Sequence, residues 1–184
     1  IQEDFADGDH TSLACIGDDV IGKANIIVRQ EGLLAGIELA EALFQRIDPE
    51  LEIISCLFDG DNVSPGDEIM KIEGKQQSIL KAERLVLNFL QRMSGIATKT
   101  QEYVDAVADT GVKILDTRKT TPGLRVFEKE AVRIGGGVNH RMGLFDMIML
   151  KDNHIDFVGN IEKAIEKVQK YLKQNDLNLP VEIE

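Results

Sequence analysis

The sequence predicts an α/β chain in two parts: an N-terminal α+β open sandwich over residues 1–110, then a partial α/β barrel over residues 111–184. Three observations carry that reading. Before Gly111, short alternating apolar and polar runs, bounded by glycine and proline turns, frame long helical stripes. After Gly111 the rhythm changes to β-then-α units, the pattern of parallel strands joined by crossover helices. The alternation stops at a third strand, short of the eight a closed barrel requires. The chain also begins without Met or a long lead-in, so truncation at both ends is expected.

Residues 23–29 alternate as a strand and turn at Gly32 and Gly36. Ile37, Ala40, Leu43, Phe44 and Ile47 form one apolar stripe, a helix that Pro49 closes. Strands are expected at 51–58 and 68–73, with turns at Asp59-Gly60-Asp61 and Pro65-Gly66-Asp67. From Gln77, Ile79, Ala82, Val86, Leu90, Met93 and Ala97 recur at helical spacing, with an interruption expected at Ser94-Gly95 and a second helical stretch at 98–109. Beyond Gly111 the expectation is a strand at 112–115, a helix from Phe127, a strand at 146–150, a helix striped by Ile161, Ala164, Ile165, Val168 and Leu172, and a strand opening at Pro180. His10 falls in a stretch that reads as a polar loop and is assigned no role.

Net charge is −11, which argues against a general binder of nucleic acid or anionic membrane. No apolar run approaches about 18 residues, so no membrane-spanning helix is expected. Cys15 and Cys56 are too few for a disulfide scaffold or a zinc site and read as small buried hydrophobes in a reducing cytosol. With no secretory signal at its start, the chain is expected to be cytoplasmic.

The charge is unevenly placed. Residues 113–154 carry eight Lys/Arg against five Asp/Glu, and two of the three histidines. A basic island in an acidic chain points to an anionic ligand, though solvated lysines produce part of such a bias. Barrel folds place their chemistry where strands end and βα loops begin. Those points read Asp116-Thr117-Arg118-Lys119-Thr120, Lys151-Asp152-Asn153-His154 and Glu182-Ile183-Glu184, with Gly135-Gly136-Gly137-Val138-Asn139-His140-Arg141 between. Two strand ends with the same cationic arrangement, plus His140 and Arg141, favour a polyanion site, since arginine grips carboxylate or phosphate bidentately and lysine adds a point charge. The glycine run reads equally as a phosphate cradle or a plain loop, and it lacks both the Walker A and the GxGxxG spacing. His154 reads as a ligand or, preferably, a cap. No His/Cys/carboxylate set has catalytic-zinc spacing.

In combination these blocks resemble quinolinate phosphoribosyltransferase, the carboxylating nicotinate-nucleotide pyrophosphorylase. Pro122-Gly123-Leu124-Arg125, Gly8-Asp9-His10-Thr11-Ser12, Asp59-Gly60-Asp61, the run from Glu83 through Arg84 to Asn88, and Ser94-Gly95-Ile96-Ala97-Thr98 extend the likeness over essentially the whole chain. The resemblance implies a pentosyltransferase of NAD biosynthesis that joins quinolinate to phosphoribosyl pyrophosphate with loss of carbon dioxide, using Mg2+. It implies that Arg118, His140, Arg141 and Lys151 hold the two quinolinate carboxylates, helped by Thr117. Lys119 would face the phosphoribosyl pyrophosphate, and Glu184 would act near the ribose and the magnesium. Glu182 stays open as the alternative, because alternate strand positions share a face. Arg84 would enter the site of a neighbouring subunit, which implies a homodimer or higher oligomer. A further carboxylate and the loops for the ribose 5-phosphate would lie beyond Glu184.

The sequence is open to two other readings. A molybdenum-transport-associated paralogue shares the implied fold, but Asp-Thr-Arg-Lys-Thr, Asn139 and Lys-Asp-Asn-His favour the quinolinate enzyme. The segment from Gly60 to Ile69 is similar to a biotinyl- or lipoyl-carrier hairpin, yet the modified lysine would fall on Gln76, with Lys75 one place off.

Overall fold

The N-terminal stretch expected as a polar loop is helical in the computed structural model, which describes residues 1–184. After α1 (Gln2–Phe5), α2 (His10–Cys15) begins at His10. Asp9 is the cause: its carboxylate accepts the N–H groups of Thr11 and Ser12, each at 3.1 Å, and the Ser12 hydroxyl. The Ser12 side-chain bond, ahead of the backbone ones, holds the Asp9 carboxyl below its ordinary pKa.

Strands β1 (Ile21–Ile27), β3 (Glu52–Ser55) and β5 (Glu68–Lys75) form an antiparallel sheet in the order β1-β5-β3, while β2 (Gly32–Leu33) pairs with β4 (Asn62–Val63). In the β1–β5 register Ile26 faces Met70 and Ile27 faces Glu68, so Ile69 is the extra residue of a bulge. That bulge lets two successive side chains, Ile69 and Met70, both be buried. Helix α3 (Ile37–Ile47) follows its predicted stripe, with Ile37, Ala40 and Phe44 buried. They join Leu51, Ile72, Ile79, Ala82, Val86 and Leu90 in the main core.

β5 runs directly into α4 (Gln76–Ala106), 31 residues without a break. The interruption expected at Ser94-Gly95 is absent for a tertiary reason. Ser94 Oγ accepts the Ala35 N–H at 3.0 Å and Thr98 Oγ1 accepts the Leu33 N–H at 2.8 Å, so the polar residues that weaken a helix here serve the backbone beside β2. The same junction corrects the carrier-hairpin alternative: Gln76 is the first residue of α4 and Lys75 is paired with Glu50, so no exposed turn presents a lysine for modification.

The chain divides into two compact units, each drawn from two sequence segments: residues 1–116 with 122–138, and residues 117–121 with 139–184. The first includes α5 (Arg125–Ile134), whose Ala131 is buried with Leu33, Ala35, Met93 and Ala97, and whose Phe127 ring meets Phe89 edge-on at 4.8 Å. The strand expected at 112–115 is a single parallel bridge, Leu115 to Val138. In the second unit β6 (Ile148–Leu150) and β7 (Val181–Ile183) pair in parallel, with α6 (Asp152–Val158) and α7 (Ile161–Gln174) between them in the chain. This βααβ order matches the expected α/β rhythm, with α6 an element the periodicity did not reveal. Cys15 and Cys56 are exposed thiols, contrary to the buried reading. No helix is long and apolar enough to cross a membrane.

Candidate active site

The parallel register of β6 and β7 assembles the first part of the site. Leu150 sits opposite Ile183, and the Glu184 N–H continues the ladder to the Leu150 carbonyl at 2.8 Å. Lys151, one residue past β6, therefore meets Glu184, one residue past β7, in an ion pair. Glu182 precedes Glu184 by two positions and shares its face. A Glu182 carboxylate oxygen lies 2.8 Å from His140 Nε2. Both candidate carboxylates thus stand against a candidate substrate-holding side chain, and the structure brings His140, Lys151, Glu182 and Glu184 to one strand end.

The loop at 117–121 belongs to the same unit. Lys119 donates its N–H to Thr117 Oγ1 at 3.0 Å, a local turn that leaves the threonine hydroxyl proton able to reach another acceptor. Arg118 is half-buried, and its Nε is buried with no hydrogen-bond partner. A buried guanidinium N–H left unpaired is costly, and an anion is what repairs it.

Arg141, also half-buried, leads into a loop pinned from behind. The Asp146 carboxylate accepts the N–H groups of Met142 at 2.7 Å and Gly143 at 2.9 Å. That commitment is why the strand expected from residue 146 starts only at Ile148. His154 is a cap: its Nδ1 accepts the Lys151 N–H at 3.0 Å at the start of α6. Arg84 lies in the other unit, exposed on α4 and off the buried stripe.

The glycine run is a packing device and not a phosphate cradle. The N–H groups of Gly135, Gly136 and Gly137 all donate to carbonyls of α5, those of Ala131, Arg133 and Val132. A Cβ on Gly135 would stand 2.5 Å from the Ala97 carbonyl oxygen of α4. Two of the eight basic residues of the island are likewise structural: Arg133 pairs with Glu130, and Lys129 with Asp116.

No group of three or more His, Cys, Asp or Glu side chains is placed to hold a metal. The residues still fit magnesium in the mode where one carboxylate and substrate phosphates share the ion. Glu184 is 58% exposed and carries the hard oxygen donors this requires. Four residues make pairings that periodicity does not signal: Glu182 with His140, Asp146 with the loop after Arg141, and Asp116 with Lys129.

Comparison with known proteins gives one consistent result. Residues 9–94 match the N-terminal domain, and residues 96–184 the C-terminal domain, of quinolinate phosphoribosyl transferase. The chain is 50% identical to quinolinate phosphoribosyltransferase [decarboxylating] 1b of Nicotiana tabacum over all of its own length and 52% of that protein. It is 48% identical to the chloroplastic nicotinate-nucleotide pyrophosphorylase [carboxylating] of Arabidopsis thaliana, over 96% of this chain and 50% of that one. The crystal structure of NadC from Streptococcus pyogenes superposes with a TM-score of 0.93 at 42% identity, covering 99% of this chain and 64% of that one. The chain thus spans about half the length of the plant relatives it matches.

Proposed function

We propose, for a chain that belongs to the quinolinate phosphoribosyl transferase family, the reaction in which quinolinate takes the phosphoribosyl group of phosphoribosyl pyrophosphate and loses a carboxyl group. The products are nicotinate mononucleotide, pyrophosphate and carbon dioxide, a step of NAD biosynthesis. The observation that carries the reading is the buried, unpartnered Arg118 Nε in the same unit as His140, Arg141 and Lys151. A dianionic substrate and a polyanionic donor enter a chain of net charge −11, and a concentrated cationic cleft is what offsets their desolvation and mutual repulsion.

In this reading Arg118, His140, Arg141 and Lys151 hold the two quinolinate carboxylates, Thr117 adds a hydroxyl hydrogen bond, and Lys119 faces the phosphoribosyl pyrophosphate. The pyridine nitrogen displaces pyrophosphate at C1 of the ribose. Glu184 stabilises the positive charge that develops on the sugar as the leaving group departs. Once ribosylated, the ring nitrogen is cationic, and its positive charge stabilises the electron pair left on the neighbouring ring carbon when the adjacent carboxylate leaves as carbon dioxide; a proton then takes up that pair at carbon. The chain's contribution is positioning and electrostatics. Magnesium, held by Glu184 and the donor's phosphates, would neutralise charge on the departing pyrophosphate. Arg84 supplies its guanidinium to the site of a partner subunit in a homodimer. The compartment is proposed as cytoplasmic; two exposed free thiols suit a reducing environment.

Incubation of the intact protein with carboxyl-labelled quinolinate, phosphoribosyl pyrophosphate and magnesium tests the proposal. Nicotinate mononucleotide and labelled carbon dioxide should appear in equal amounts. Neither product forming, or pyrophosphate released without carbon dioxide, would overturn it.

A further inference from the structure

The two loops that carry the proposed carboxylate grip follow directly on two bonded residues of the first unit. Asp116 precedes Thr117, and Val138 precedes Asn139, His140 and Arg141. Asp116 donates its N–H to the Val138 carbonyl at 3.2 Å, and Val138 donates its own to the Ile114 carbonyl at 2.8 Å. This bridge is isolated, with no ladder on either side, and so short a parallel pairing is a weak clamp by itself.

A second tie reinforces it. Asp116 is ion-paired to Lys129, with side-chain exposures of 7% and 1%. Lys129 stands on α5, the helix that joins the two loops in sequence. That helix is docked on α4 through Ala131, the Phe89–Phe127 contact and the Arg92–Glu128 ion pair. Lysine is among the residues least often buried. Stability alone does not account for the pair, because apolar residues of equal volume serve a core as well or better. In some folds a buried charge pair defines position rather than adding stability, and a binding site tolerates only about 0.5 Å of looseness.

We propose that the Asp116–Lys129 pair is a positioning device. It fixes the register between residues 117–119 and residues 140–141, so that Arg118 and Arg141 grip the two carboxylates of one substrate molecule. The inference rests on the quinolinate reading above. Neither Asp116 nor Lys129 touches substrate; both act through the loops that follow.

The test compares the intact protein with Asp116→Asn/Lys129→Met, which removes both charges at nearly constant volume, and with Asp116→Glu, which keeps the charges and lengthens the tether. Each variant should still fold cooperatively, with its thermal transition lowered by no more than about 10 °C. The quinolinate KM should nevertheless rise about tenfold or more in both, with the phosphoribosyl pyrophosphate KM within about twofold. The imidazole NMR signals of the chain's three histidines add a readout independent of turnover. Those of His140 should shift in both variants, while those of His10 and His154 stay in place. A quinolinate KM and a His140 signal that match the parent in either folded variant overturn the positioning role. Should the double variant fail to fold, Asp116→Glu decides alone. A parent without activity would refute the quinolinate reading, and the His140 signal would still decide the positioning.

Discussion

At the scale of single residues, Lys151 and His140 of the proposed site already face carboxylates before any ligand enters. Lys151 and Glu184 pair at side-chain exposures of 40% and 58%, and His140 pairs with Glu182. An ion pair this exposed is worth about 0–1 kcal/mol, so a substrate carboxylate can take the place of Glu184 on Lys151 at little cost. Two predictions follow from that exchange. Lys151→Ala and Arg141→Ala each remove a charge-assisted contact worth about 1.5–3 kcal/mol, so quinolinate affinity should fall about ten- to hundredfold. Phosphoribosyl pyrophosphate affinity should change far less, and separate calorimetric titrations distinguish the two; equal losses would refute the assignment. Glu184→Gln frees Lys151 from competition, so quinolinate should bind at least as tightly as before. Yet kcat should drop by about 10² or more, because the carboxylate proposed to face the sugar is gone. Weaker quinolinate binding in that variant would contradict the exchange.

Secondary-structure elements carry their own predictions, and here the sequence was only partly legible. The stripes of α3 and α4 were readable because apolar spacing reports burial directly. Ser94-Gly95 misled because local propensity carries no information about Ala35 and Leu33, whose backbone those polar residues serve. The role of the glycine run was hidden for the same reason, since it depends on a close approach to α4. Gly135→Ala would drive a Cβ against the Ala97 carbonyl and should destabilise by about 1–3 kcal/mol. Gly95→Ala, with nothing within 4 Å of the new carbon, should instead stabilise by up to about 1 kcal/mol. Urea unfolding of both variants is the check. Between α3 and α4, Asp48 accepts the Ser78 hydroxyl at 2.6 Å and the Glu50 N–H at 3.0 Å. The Ser78 bond first, and the Glu50 N–H after it, hold the Asp48 carboxyl below its ordinary value. A carboxyl depressed in the folded state contributes stability above its unfolded pKa and loses it as pH falls through the folded value. Ser78→Ala should therefore cost about 1.5–3 kcal/mol at pH 7. The gap from the parent should narrow below about pH 4, as Asp48 takes up its proton. A gap of constant size down to about pH 2 would exclude this linkage.

For the whole molecule, the proposed homodimer makes Arg84 the decisive residue. Periodicity alone reads it as a solvated arginine on α4, and within one chain it is exposed; the role proposed for it comes only from the resemblance. If it completes a partner's site, inactive Arg84→Ala and Lys151→Ala proteins should restore each other on subunit exchange. Half the sites of a mixed dimer carry neither defect, so activity should approach about a quarter of the parent under random pairing. Exchange without recovery would remove Arg84 from a shared site. The cationic loops were legible as residue types in order. The pairings that arrange them, Glu182 with His140 and Asp116 with Lys129, join residues far apart in sequence, where neither period 2 nor period 3.6 reaches.

Helix α4 also decides how such a protein can be recombined. The two matched domains meet at Gly95, midway along a helix of 31 residues that is about 46 Å long. Met93 belongs to one domain and Ala97 to the other, yet both pack in a single buried cluster with Leu33, Ala35 and Ala131. A chimaera joined at that seam would take the two sides of one packed surface from different parents. Compatible parents are then those that agree in volume at these five positions, whatever their similarity elsewhere. Crossovers in the connection after Thr110, where the helical run has ended, keep Leu33, Ala35, Met93 and Ala97 from one parent and leave only Ala131 to be matched. The border between the two domains in sequence is therefore a poor place to cut, and modular exchange in this lineage should favour joints outside the helix.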